Sequence, residues 1–396
     1  MAEALKRRIG LGLLTAYGVG VMVGAGIYVL VGAVAADAGV WAPVSFLLAG
    51  LIAAPTALSY AEFSTRLPEA AGEAIYVAKG LNLPVMGIVV GLGIVAAGTV
   101  SAAAVLRGGT GYLVSVVDLP YHATAAVIGL VIVGVAIAGV LESLAVAAVF
   151  TALEVLGLIL VVYAGFTAPA AVDFTAPAGI AWAGVASAAV LAFFAFIGFE
   201  DIVNMAEEVP HPERTLPRAI LLSLAITSVL YALVSFAAVR AVPLDRLGPS
   251  EQPLALVWQA GPGGSGHFLS LIAVAAALNG VLAQIVMVSR VLFGLGRRSR
   301  AFAVFHHAHP RLGTPVRATA LVGAVVIAGA LGLQVAALAE VTSTILLVAF
   351  VLVNAALVAA KRRGPARAPF TVPMAVPVLG LLAALAALAV SATVSA

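Results

Sequence analysis

The chain of 396 residues contains no cysteine, which excludes disulfides, thiolate metal centres and cysteine nucleophiles together. It is also poor in charge, with 9% Asp, Glu, Lys and Arg against about a quarter in soluble domains. A water-facing surface cannot be built from so few. No phosphate loop, dinucleotide fingerprint or nucleophile–base set appears, so no enzyme is expected. His306, His307 and His309 lie in a basic stretch without a carboxylate cluster or a regular ligand spacing. They read as solvated loop residues, and neither a metal nor a cofactor is expected.

What the chain has instead is apolar sequence, 63% of its residues. Runs of about 20 apolar residues suffice to cross the hydrocarbon as helix, and about eleven occur, near 9–34, 41–64, 84–116, 122–141, 145–167, 181–206, 217–240, 267–295, 316–336, 340–360 and 373–394. The expected fold class is an all-α polytopic membrane protein, one transmembrane domain over residues 1–396. Lys6, Arg7, Arg8, Arg66, Lys79, Arg214, Arg218, the basic residues of 297–317 and those of 361–367 fall on one side, whereas Arg240 and Arg246 fall on the other. The positive-inside rule places the first group and the N-terminus in the cytoplasm, and the odd span count puts the C-terminus outside. Basic charge thus reflects topology in the cell membrane and contact with anionic lipid, and nucleic acid is not an expected partner. The apolar stretch after Arg8 is too long for a signal h-region, so the first span reads as retained.

Two spans are interrupted by glycine: VMVGAGIYVL at 21–30 and FFAFIGFE at 193–200. They occupy corresponding first positions if residues 9–167 form one five-span repeat, 181–360 a second, and 373–394 an additional helix. Five is odd, so the second repeat enters the membrane from the opposite side and the repeats are inverted. Paired interruptions of this kind point to a transporter's binding site. Backbone groups freed at a break find no partner in lipid, so the break must face protein, water or ligand. A ligand with one negative and one positive end suits it, because a half-helix N-terminus attracts a carboxylate and freed carbonyls accept from an ammonium. The alternative for each glycine taken singly is close helix packing.

The motifs resemble those of the amino acid-polyamine-organocation (APC) permeases over nearly the whole chain. GVGVMVGAGIYVLVG looks like the glycine-rich GxGxxxGxGIF signature, and ALSYAEFSTRLPEAAGEAIYVAKG is similar to YAEL...PxxGGxYxY. FFAFIGFEDIVNMAEEVPHPERTLPRAI resembles FxGFE...AEExxNPxRxxPxAI, and SRVLFGLGRRSR followed by GTPVRATAL resembles SRxLxxxARDGxxP...TPxxA. Departures are AGEA for GGxY, HPER for NPxR, the missing RDG, and about eleven spans where twelve are usual. The resemblance implies a LeuT-type inverted 5+5 repeat with helices 1 and 6 broken at the midplane. It further implies secondary active transport of an amino acid by alternating access. The main chain around Val23, Gly24, Ala25, Gly26 and Ile27, with Phe196, Ile197 and Gly198, would hold the substrate's carboxylate and amino groups. Phe194 matches an aromatic that closes over the substrate, and Glu200 is implied to hydrogen-bond at the break or inner gate.

Glu154 lies halfway through the fifth span, where a carboxylate costs about 2.5–3.5 kcal/mol to insert, so it should face the bundle interior. Several relatives carry a lysine there in place of a sodium ion. Residues 271–288 of the eighth span contain no Ser or Thr, leaving the usual sodium site without its hydroxyl oxygens. Protons are therefore the favoured coupling ion, loaded and released by Glu154 as its exposure changes; a permanently structural acid is the alternative. Exchange of amino acids, a polyamine or cationic amine permease, and a non-transporting sensor stand as alternative functions. A channel would need a continuous polar lining. Arg107 is expected to pair with an acid or snorkel, and Asn279 and Gln284 to bond between helices. Glu207, Glu208 and Arg214 are expected to form a cytoplasmic charge latch. No oligomeric state is assigned by the sequence.

Overall fold

The computed structural model describes residues 5–172, 179–250, 252–262, 267–332, 336–364 and 368–394; Arg367 and part of the 241–267 connection lie outside them. In chain order the helices are α1 (Leu11–Val23), α2 (Ala25–Ala38), α3 (Ala42–Arg66), α4 (Gly72–Leu81), α5 (Pro84–Val116), α6 (Tyr121–Ala138), α7 (Val140–Thr167) and α8 (Trp182–Phe193). There follow α9 (Pro212–Ala241), α10 (Leu244–Leu247), α11 (Pro253–Ala260), α12 (His267–Gly296), α13 (Val316–Gly332), α14 (Ala336–Arg362) and α15 (Ala375–Val394). Short 3₁₀ segments occupy Phe194–Phe196, Phe199–Glu208 and Arg300–Phe305, and no strand occurs among the described residues. Among the described residues nine stretches are long and apolar enough to cross a membrane, and two shorter apolar helices, Val316–Gly332 and Ala375–Val390, bring the set to the expected eleven.

Two span starts lie five residues before those read from the sequence. The seventh begins at Pro212, with Pro217 inside the helix, because a proline near a helix start gives up few intrahelical bonds. The fifth begins at Val140, with Gly139 as the single residue between it and the end of α6. Hydropathy alone marks where lipid begins, not where helical bonding begins.

Large apolar side chains such as Leu51, Val85, Leu130, Val149, Val229 and Leu382 are exposed on the outside of the bundle, as a hydrocarbon solvent requires. Between helices the driving force is close packing, so small residues line the contacts. α5 and α12 pair extensively, as do α3 and α9. A Cβ on Gly109 of α5 would stand 2.5 Å from Ala277 of α12, and one on Gly50 of α3 2.5 Å from Ser228 of α9.

Charged residues tie the helix ends together. Arg290 of α12 meets Glu208 through two hydrogen bonds of 3.1 Å, Nε to Oε2 and Nη2 to Oε1, with both side chains wholly buried. The carbonyl of Glu208 also accepts from the amides of Arg8 and Ile9 at 2.8 and 3.0 Å. Glu62, near the end of α3, accepts from Arg66, from Lys361 at 2.8 Å and from the amide of Val372 at 2.8 Å. Arg107 instead donates to the Ala330 carbonyl at 3.0 Å and stands 5.7 Å from the centre of the Tyr121 ring.

Removing one partner of a buried pair leaves an uncompensated charge, at a cost of about 3–5 kcal/mol, whereas replacing both by apolar groups is often neutral. Arg290→Met is accordingly expected to lower the unfolding temperature in detergent strongly, and Arg290→Met with Glu208→Leu to restore most of the loss. An equally unstable double variant would count against this account.

Candidate functional site

The first interruption is one residue long. α1 ends at Val23 and α2 begins at Ala25, with Gly24 between them at φ −28°, ψ −154°. Gly26 and Ile27 therefore already belong to the second half-helix. The interruption in the sixth span is longer: after α8 and the turn 194–196, Ile197 is extended at φ −63°, ψ 133°. Gly198 then takes φ 129°, a conformation that side chains resist.

The two interruptions face each other. A Cβ on Gly198 would lie 2.8 Å from Val21 Cγ1 and 3.2 Å from the Met22 amide nitrogen, and one on Gly26 3.2 Å from Ala195 Cα. Each glycine stands where the other segment's main chain passes. The buried Tyr231 of α9 joins them: its hydroxyl lies 2.6 Å from the Met22 carbonyl and 3.0 Å from that of Ala195, so one proton serves both segments. Its ring is held edge-on by Phe46 and Phe196, at centroid distances of 5.7 and 5.2 Å. Glu200 turns back to accept from the Gly198 amide at 2.8 Å, satisfying a donor left over where the 3₁₀ segment starts.

Beside this junction lies a cavity of about 570 Å³. Its walls come from α1 and α2, from α5, from the broken sixth span, from α12 and from α14. Of the sequence candidates, Gly24, Gly26, Phe194, Ile197, Gly198 and Glu200 line it. Val23, Ile27 and Phe196 are buried in the core behind it, and Ala25 belongs to the first turn of α2. Glu154 does not line the cavity. It is fully buried on α7 with the Asn279 side-chain amide beside it, and among the described residues neither carboxyl oxygen makes a hydrogen bond of ordinary geometry. One turn before it, Thr151 accepts from Asn279 of α12 at 3.0 Å and lies 3.2 Å from the Ala16 carbonyl of α1, which ties three helices together.

Sequence reasoning passed over Asp201, which lines the cavity and accepts from Gln284 Nε2 at 2.9 Å. A second intramembrane acid beside Glu200 was the available signal. It also passed over Tyr231, whose role nothing in its own stretch announces, and Ser101 and Thr342 on the walls.

One flank of the bundle is clamped. The 69–73 segment docks on the 3₁₀ run Phe199–Glu208 through Ala70 N to Glu207 Oε1 and Gly72 N to Asn204 Oδ1, each 3.0 Å. Arg297 bridges Glu69 and Glu207 at 2.7 and 3.0 Å, and Arg298 and Lys79 also hold Glu69. Partial burial opposes ionisation of Glu69, but Lys79, Arg298 and Arg297 outweigh it and keep its carboxyl below the ordinary range. Of the expected latch, Glu207 takes part here and Glu208 pairs with Arg290.

Residues 9–396 match the family described as amino acid permease. The chain belongs to that family. The permease is 31% identical over 390 residues to the branched-chain amino acid permease BcaP of Bacillus subtilis, covering 92% of this chain and 83% of the relative. It is 30% identical over 407 residues to the methylthioribose transporter of the same organism, covering 97% and 87%. It is 29% identical over 331 residues to the vacuolar cationic amino acid transporter 4 of Arabidopsis thaliana, covering 78% of this chain and 55% of that protein. The permease is thus a multi-pass membrane transporter and not an enzyme.

Tyr231→Phe removes the one hydroxyl shared by the two interruptions. Leaving buried acceptors unsatisfied costs about 1–3 kcal/mol, so the variant is expected to unfold at lower temperature and bind ligand more weakly. Unchanged stability would mean that the hydroxyl does not hold the junction.

Proposed function

We propose that the permease is a secondary active transporter that moves an amino acid or related amine across the cell membrane by alternating access. In this reading the substrate lies in the cavity, with its carboxylate toward the start of α2 and its ammonium toward carbonyls freed near Gly24. The observation that carries it is the meeting of two helix interruptions at one cavity, with Tyr231 occupying the carbonyls of Met22 and Ala195. Backbone groups at membrane depth need protein, water or ligand, and an amino acid supplies both signs of charge at once. Residues 9–167 and 181–360 are the two inverted repeats in this reading, α15 is the addition, and the N-terminus is cytoplasmic.

Protons are the proposed coupling ion, and Glu154 the proposed carrier. It is supported by a fully buried carboxyl that has only the Asn279 amide beside it among the described residues and by an eighth span without hydroxyls from 271 to 288. An acid that alternates between dry and hydrated surroundings takes up and loses a proton in step with that change. One further observation supports the alternative of a cationic amine as the substrate. Glu200 and Asp201 line the cavity, and no Lys, Arg or His is among its described lining residues.

Uptake of labelled amino acids and amines into proteoliposomes, in sodium-free buffer with and without an inward proton gradient, tests the reading. Gradient-driven accumulation is expected; uptake only into amino acid-loaded vesicles would make the permease an exchanger. Glu154→Gln is expected to remove the pH dependence of uptake and spare counterflow exchange. An unchanged pH profile would take the proton away from Glu154. Gly26→Leu fills the space against Ala195 and is expected to weaken binding by ~100-fold, about 2.8 kcal/mol, in a protein that still folds. Normal affinity in that variant would overturn the site.

A further inference from the structure

The AGEA sequence places Glu73 in the first turn of α4, outside the membrane spans, yet only 1% of its surface is exposed. Its carboxylate accepts from Asn204 Nδ2 at 3.2 and 3.4 Å, and the same Asn204 accepts from Gly72 N. Glu73 is therefore part of the contact that docks the 69–73 segment on the sixth span.

Among the described residues no positive charge balances it. From the sixth span it faces the carboxyls of Glu200 and Asp201, from α3 the Tyr60 hydroxyl, and from its own helix that of Tyr76. Every nearby cation among the described residues is committed elsewhere. Arg297, Arg298 and Lys79 hold Glu69, Arg290 of α12 holds Glu208, and Lys361 of α14 holds Glu62. Arg107, the only Lys or Arg of α5, donates to Ala330. The hydroxyls of Tyr60 and Tyr76 are fully buried and have no hydrogen-bond partner among the described residues. Two unused polar groups beside a carboxyl without a countercharge mark a place that accepts a proton.

We propose that Glu73 is a proton-binding site of the clamp, taking up a proton when the 69–73 segment docks on Phe199–Glu208 and releasing it when the segment lifts away. Its ligand is the proton, and it is distinct from Glu154. The proposal rests on the alternating-access reading only in requiring that the clamp opens.

The direction of the pH effect follows. Burial, reinforced by Glu200 and opposed by hydrogen bonds from its own backbone and Asn204, pushes the Glu73 carboxyl up to about 8, from an ordinary 4.5. Once the clamp opens and water reaches it, the ordinary value returns. Between those two values the docked state holds a proton that the open state lacks, so docking weakens as pH rises, by up to about tenfold per pH unit. Below 4.5 both states are protonated and the dependence vanishes.

Because the chain has no cysteine, Val203→Cys, at a fully buried position directly beneath Gly72, reports opening through labelling by a membrane-impermeant maleimide. The purified full chain is labelled from about pH 5 to about pH 9, and each rate is normalised to the same protein unfolded in detergent at that pH, which removes the thiol's own titration. Labelling is expected to rise ~10-fold or more with pH, and Glu73→Gln to leave it low and flat. Flat labelling in the Val203→Cys parent, or an unchanged profile with Glu73→Gln, overturns the proposal. Asn204→Asp, which adds a carboxylate opposite Glu73, supplies an independent arm: its midpoint is expected to move upward, and an unmoved midpoint also overturns the proposal. No substrate enters the measurement, so its failure is distinguishable from failure of the binding-site reading.

Discussion

A membrane helix can be opened at its centre only if the peptide groups it releases are satisfied without lipid. In this permease the need is met by bringing two opened helices together. Tyr231 serves a carbonyl from each, at Met22 and Ala195, and Glu200 caps the Gly198 amide. Gly26 and Gly198 let the two main chains pass within contact distance of one another. The cavity is what remains beside that junction, so its position follows from the hydrogen bonding of the breaks.

Charge is distributed on the same principle. Where cations exist, they pair acids at the helix ends: Arg290 with Glu208, Lys361 with Glu62, and Arg297 with Glu69 and Glu207. These pairs join segments far apart in sequence and set how the ends of the sixth and eighth spans and the 69–73 segment lie together. Acids deeper in the bundle have no such partner. Among the described residues Glu154 has only the amide of Asn279 beside it, and Asp201 has only that of Gln284. A low-dielectric interior makes unpaired carboxylates expensive, and a mobile positive charge, whether proton or ammonium, is the natural relief.

Kinship with a branched-chain amino acid permease, a methylthioribose transporter and a cationic amino acid transporter fits a junction built largely from main chain. In the proposed reading backbone groups recognise the parts that ligands share, while wall residues such as Ser101, Phe194, Asp201, Gln284 and Thr342 are free to differ. Specificity on such a scaffold is a property of the walls.

The sequence by itself determined where helices cross and where two of them break. Span length and apolar composition are set by the hydrocarbon, and Gly24 and Gly198 lie at the two places where the paired glycine motifs mark a break. It also singled out Glu154 and Glu200, because an intramembrane acid is costly enough to be conspicuous. Only the tertiary structure decided that the first break is confined to Gly24, that Glu154 stands behind the cavity, and that Tyr231 and Asp201 belong to the site. Tyr231 meets a carbonyl 209 residues away, and Asn204 meets Glu73 across 131. Such contacts depend on which faces of distant helices meet, and neither hydropathy nor local spacing records that.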